Sequence, residues 1–176
     1  MYRLRFIVVM LKSLLSQKRE LSDDFELNFW VVPFLDTDLK LLFTQTYSQY
    51  MGLARWNLLF NSEFRTAALK RGWVPVTTRE TLSYKRSIKV FDRVRLLTRI
   101  IHWNERRFYL EHVFYVKGEI KALAYVEGLV RGPKGHLKPE EAFKAMGVTR
   151  ESEPLPEHLQ GWIDLVYEPH SVNGEK

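Results

Sequence analysis

Along the first fifteen residues apolar side chains return every three or four positions, so that Leu4, Ile7, Val8, Leu11, Leu14 and Leu15 share one helical face. The pattern predicts an amphipathic N-terminal helix. Its uninterrupted apolar run, Phe6 to Leu11, lies between Arg5 and Lys12. That is far short of the ~20 residues a membrane span needs, and no small-residue cleavage pattern marks a signal peptide. The apolar face is expected to pack on the protein's own sheet or on a partner subunit, with contact to a membrane surface as the alternative.

From Phe25 the period becomes two. Phe25, Leu27, Phe29 and Val31 alternate with Glu26 and Asn28, which predicts a strand that Pro33 closes. The stretch DTDLKLLFTQTY, from Asp36, then opens a helix in which Tyr47, Tyr50, Met51, Ala54 and Leu58 recur at helical spacing. Leu53, Leu59 and Phe60 populate another side, so this helix is apolar around most of its circumference and belongs inside the fold. Asn61 or Ser62 can cap a second short helix through Ala67 and Leu69, ended by Gly72.

Beyond Gly72 the pattern predicts four strands: Val74 to Ile88, Arg93 to Trp103, Arg107 to Val116 and Ile120 to Arg131. Their links are short, which predicts a four-stranded antiparallel meander and, with the buried helix, an α+β fold. Pro139 to Met146 form a last short helix stopped by Gly147. The tail beyond is expected to dock through Trp162, Ile163, Leu165, Val166 and Tyr167, with frayed final residues. The organisation is a helix over 1–20, one domain over 21–147 and a tail over 148–176.

Composition narrows the chemistry. The chain of 176 residues has no cysteine, which removes disulfides and thiolate chemistry and fits a reducing, cytoplasmic setting. Its net charge of +6 favours anionic partners. No aromatic ribonucleoprotein signature or other reader motif supports nucleic acid as a partner. No nucleophile elbow, P-loop or dinucleotide fingerprint occurs, and no histidine pair has the spacing of a helical zinc site, so no metal is expected. His112, in mid-strand, reads as a half-buried structural histidine. What remains is Asp36 and Asp38 at the entrance to the buried helix. Such an end can hold an oxyanion while a nearby carboxylate acts as base or nucleophile. The same pair can equally shape the turn and cap the helix.

The whole arrangement resembles the hotdog-fold acyl-CoA thioesterases, in the 4-hydroxybenzoyl-CoA thioesterase-like and thioesterase-like branch. Asp36-Thr-Asp38, Thr44-Gln45, Tyr47 and Arg55 match the family's acidic pair, Thr-Asn pair, Tyr and later Arg. Further likeness lies in RGWVPV from Arg71, YKRS from Tyr84, TRIIHWNERRFYLEH from Thr98 and VEGLVRGPKG from Val126. Leu42 stands where the family has His, Gln45 where it has Asn, and Gly52 where relatives often carry an acid. One residue is missing before Tyr47. The resemblance implies an antiparallel sheet wrapped around a central buried helix, and a homodimer or dimer of dimers with its sites at subunit interfaces. It implies hydrolysis of an acyl-CoA or acyl-carrier thioester, with CoA entering only as part of the substrate and no separate cofactor. Asp38 is then the first catalytic candidate and Asp36 the second, with Thr44, Gln45, Thr46, Tyr47 and Arg55 at the substrate. Arg93, Arg95, Arg99, Arg106 and Arg107 either meet CoA phosphates or form the solvent face of the sheet.

Overall fold

Lys117 and Gly118 both hold positive φ, 51° and 82°, which is the conformation a two-residue hairpin between right-twisted strands requires. They join β4 (Phe108–Val116) to β5 (Glu119–Gly132), the centre of the sheet in this computed structural model, which describes residues 2–38 and 40–164. Around that hairpin the chain runs α1 (Tyr2–Leu15), β1 (Phe25–Trp30), α2 (Thr44–Phe60), α3 (Phe64–Arg71), β2 (Val74–Tyr84) and β3 (Arg93–Trp103) ahead of β4. After β5 come β6 (Gly135–Leu137), α4 (Pro139–Lys144) and α5 (Glu157–Asp164).

The antiparallel sheet has the order β1-β3-β4-β5-β2, with β6 paired to β5. Only β3, β4 and β5 form the expected meander. β2 crosses to the far edge and pairs with β5, from Val74 opposite Arg131 to Tyr84 opposite Ala122. The correction has a physical cause. The strand ends at Tyr84 rather than Ile88, so the link to β3 is a real crossover over residues 85–92. That crossover is held by the loop before α2, through Leu42 N–H to Ile88 O at 2.9 Å and Val90 N–H to Lys40 O at 2.9 Å. β3 takes β1 as its second neighbour, with Phe25 opposite Thr98 and Trp30 opposite Arg93.

The sheet's concave face holds α2. Tyr47, Tyr50, Met51, Leu53, Ala54 and Leu58 are all buried, as the helical spacing predicts. Opposite them lie Val94, Leu96, Phe114, Val116, Ala122 and Ala124. Fully burying a Leu- or Met-sized side chain contributes about 1.5–3 kcal/mol, so the six buried apolar side chains of this helix contribute substantially to the core. Gly72, at φ 65°, ends α3 in the left-handed conformation. The cap at the other end is shared differently from expectation: Asn61 closes α2, while the Ser62 hydroxyl accepts the Phe64 N–H at 3.3 Å.

α1 lies on the side of α2 that the sheet leaves open, and its leucine-rich face does not pack on the protein's own sheet. Phe6 meets Trp56 edge-on at 5.5 Å, Asn61 Nδ2 donates to Ser13 Oγ at 3.0 Å, and Val9 is buried. Leu4, Ile7, Val8, Leu11 and Leu15 stay 43–90% exposed, with Leu4 and Val8 bordering a groove against Leu27 and Phe29. The outer side of α2 offers polar groups as well as rings, and these select the α1 face carrying Arg5 and Ser13 over the leucine stripe. On the convex side of the sheet, α5 docks through buried Leu159 and through Trp162, whose ring lies beneath Arg79 at 5.0 Å. Arg79 also donates to the carbonyls of Trp162 and Ile163 at 3.0 Å each. Leu165, Val166 and Tyr167 and the final residues lie outside the described residues.

Candidate active site

The loop between β1 and α2 is closed around one carboxylate. Asp36 is 2% exposed, and its oxygens accept from both guanidinium nitrogens of Arg5, at 2.6 and 2.8 Å. The Tyr50 hydroxyl donates to it at 3.0 Å and the Val32 N–H at 2.8 Å. Arg5 donates to the Tyr50 hydroxyl as well, and its guanidinium stands 5.0 Å over that ring. Burial works to raise the Asp36 pKa, but these donors outweigh it and hold the carboxyl below the ordinary range. The same ion pair holds Arg5 above its own.

The backbone of Asp36 does a second job. Its carbonyl accepts the Phe43 N–H at 2.9 Å and the Thr46 hydroxyl at 3.3 Å, which fastens the start of α2 to the loop. Phe43, the residue before the helix, provides no side-chain cap. The opening N–H groups at Thr44 and Gln45 therefore form an uncapped, electropositive end. Both residues are exposed, and so is Asp38, two residues beyond the buried carboxylate.

A cavity of about 260 Å³ opens beside this end, lined by Leu42, Thr44, Tyr47, Tyr84, Arg86 and Ile88 among others. Tyr47 forms its inner wall, edge-on to Tyr84 at 5.0 Å and to Phe114 at 5.1 Å. Burial pushes its phenol up to about 12, so it stays protonated as a neutral wall with a polar tip. The structure thus brings Thr44 and Tyr47 to one cavity, with Gln45 at the same helix end and Thr46 buried behind it. Arg55 is elsewhere. It sits about 16 Å further along α2 at 1.5 Å per residue, where it pairs with Glu80 at 3.3 Å.

Arg55 lines a second cavity of about 250 Å³ between α2 and β2, walled by Gly52, Trp56, Thr77, Phe108 and Leu110 and mostly apolar. A Cβ at Gly52 would stand 3.4 Å from the Tyr2 hydroxyl, so the space where relatives carry an acid is covered by the start of α1. His112 lies below on β4 and is fully buried rather than half-buried. Its Nδ1 bonds the Thr98 hydroxyl at 2.8 Å, and its Nε2 has no partner among the described residues. Burial, then the charge of Arg55, hold it well below the ordinary histidine pKa.

Three of the five arginines on and around β3 face outward and are paired with acids. Arg95 meets Glu26 at 2.7 Å, Arg99 meets Glu111 at 2.7 Å, and Arg107 meets Glu127 at 3.5 Å. Pairing on the convex face fits the solvent-face alternative for these three. Two residues escaped the sequence reading of the site, Arg5 and Tyr50. The available signal was slight: Arg5 falls on the α1 side opposite the leucine stripe, in register with Val9 and Ser13.

Comparison with known proteins agrees with this architecture. Residues 32–163 match the thioesterase-like superfamily. A probable thioesterase from Escherichia coli superposes with a TM-score of 0.64 at 18% identity, over 69% of this chain and 98% of its own. A gentisyl-coenzyme A thioesterase gives 0.60 at 22% identity, over 70% and 99% of the two chains. A hypothetical protein from Staphylococcus aureus, solved in complex with CoA, gives 0.65 at 11%, over 87% and 100%. No curated protein sequence matches. The fold is the hotdog fold, and the chain belongs to the thioesterase-like superfamily.

Proposed function

We propose that this protein hydrolyses an acyl-CoA thioester to the free acid and CoA, with Asp38 as general base or nucleophile. The observation that carries the reading is the division of labour between the two acids. Asp36 is buried and held by Arg5, Tyr50 and the Val32 N–H, whereas Asp38 is solvent-exposed in the loop that precedes α2. With Asp38 as base, a water oxygen attacks the thioester carbon while Asp38 takes the water's proton. The carbonyl oxygen becomes an oxyanion facing the N–H groups at Thr44 and Gln45, and collapse expels the CoA thiolate. That proton then passes to the thiolate. With Asp38 as nucleophile, a mixed anhydride forms first and water cleaves it.

Lys85 and Arg86 at the rim of the Tyr47 cavity offer cations to an anionic CoA. The gentisyl-coenzyme A thioesterase and the CoA complex among the superposed structures support this substrate class. No cofactor beyond CoA in the substrate is invoked. Asp38→Asn keeps the shape of the side chain and removes its charge. Thiol release from a panel of acyl-CoAs is expected to fall about 100-fold or more, at unchanged melting temperature. Equal turnover in the folded variant removes Asp38 from the chemistry.

A second reading, an acyl-CoA or lipid binder without turnover, is favoured by one observation. Leu42 is a buried core residue, and Gly52 faces Tyr2 where relatives carry an acid. Saturable acyl-CoA binding with no thiol release from the wild-type protein would establish it.

A further inference from the structure

We propose that α1 is a preformed docking face for an anionic lipid bilayer, on which it lies flat beside the loop tip at Phe34. Its outward side carries Leu4, Ile7, Val8, Leu11 and Leu15, all exposed among the described residues. Fourteen residues make a stripe about 21 Å long, and no described helix is long and apolar enough to cross a membrane. The inward side is already committed, through Arg5 to Asp36, Phe6 to Trp56 and Ser13 to Asn61. The apolar stripe is therefore held in place before any encounter, which lowers the ordering cost of binding.

Charge selects the occupant. Residues 1–19 contain five cations and no acid, and with Arg5, Lys18 and Arg19 paired to Asp36, Glu63 and Asp23, Arg3 and Lys12 are the cations beside the stripe. Arg3 and Lys12 are exposed alongside the stripe, where long basic side chains reach headgroups while their stems stay on apolar surface. A second copy of the chain laid on the same face would bring its own Arg3 and Lys12 against these, with no acid on either helix to oppose them. A bilayer containing anionic lipid supplies the missing charge.

The neighbouring loop points the same way. Phe34 is 84% exposed and holds φ at 60°, a conformation costly for a bulky residue. The turn is locked by Asp36, whose N–H bonds Val32 O at 3.0 Å and whose carboxylate is fixed by α1 itself. An aromatic ring is thereby presented to solvent in the loop that Arg5 of α1 fastens, and rings of this kind partition into the bilayer interface.

The test is sedimentation of the full chain with vesicles of phosphatidylcholine alone or with about 30% phosphatidylserine. Wild type is expected to bind the anionic vesicles, and to release as salt rises from about 0.1 M to about 0.5 M. The double variant Leu4→Asp/Leu11→Asp changes only exposed positions. With its melting temperature confirmed, it is expected to bind roughly ten-fold less, and Phe34→Ser is expected to weaken binding by a smaller factor. Three results overturn the proposal: no wild-type binding at low salt, undiminished binding of the folded double variant, or a wild-type oligomer that this variant dissociates without any vesicle binding. The last result assigns the face to a second copy.

Discussion

His112 shows how one buried atom sets a pH dependence. Its folded-state pKa is depressed, so below the ordinary histidine value near 6.5 the unfolded chain binds a proton that the folded chain does not. Stability therefore falls as pH drops through that value, by at most about 1.4 kcal/mol for each pH unit until the folded group also titrates. Thermal melting between pH 7.5 and 5.5 is expected to show this slope, and His112→Leu is expected to flatten it whatever its stability at neutral pH. A slope unchanged in the variant would assign the acid sensitivity to other groups. The sequence placed His112 on a strand but not the depth of its burial, because burial there depends on how α2 covers β4. Asp36 and Asp38 illustrate the same limit. Their spacing marks both as candidates, yet which one is sequestered depends on an arginine thirty-one positions away, which in sequence only interrupts an apolar helix.

At the level of elements, α1 and the loop before α2 are joined by a nearly buried ion pair. Removing one partner leaves the other charge without its counter-ion in a poorly hydrated place. Arg5→Met is expected to cost about 2–4 kcal/mol, somewhat below the usual range for a broken buried pair because Arg5 keeps partial contact with water. Denaturant unfolding measures this, and the double variant Arg5→Met/Asp36→Leu is expected to recover most of the loss. If the single variant loses nothing, the pair does not fasten α1. The two-residue and helical periods of β1, β3, β4 and α2 were legible, since each has a plain in-and-out alternation. The partner of β2 was not, because an apolar continuation to Ile88 disguised a crossover as strand. For α1 the helix and its apolar stripe were legible, but the side that meets α2 was not, since hydrophobicity alone does not weigh the polar groups that α2 presents.

For the molecule as a whole, two strands of the sheet end without a neighbour among the described residues, β1 at one margin and β2 at the other. β2 is the longer, with eleven residues and few charged side chains, and a margin of that kind is a ready template for strand pairing. A homodimer joined along β2 would place the Arg55 and Glu80 region against a second protomer. Light scattering at micromolar concentration is expected to give a multiple of the 20.9 kDa chain mass, and a clean monomer would contradict the pairing.

The seat of α1 also sets an order of events during synthesis. α1 cannot settle until residue 61 has been synthesised, because its contacts reach from Asp36 to Asn61. Even then α2 presents its other side to water until β3, β4 and β5 have been made, and β1 waits for residue 98 before it has a partner. Contacts this distant in sequence close slowly. The nascent chain therefore passes through a stage in which two apolar helices stand together without a sheet, and that stage is where chaperone dependence and aggregation of weakened variants are expected to concentrate.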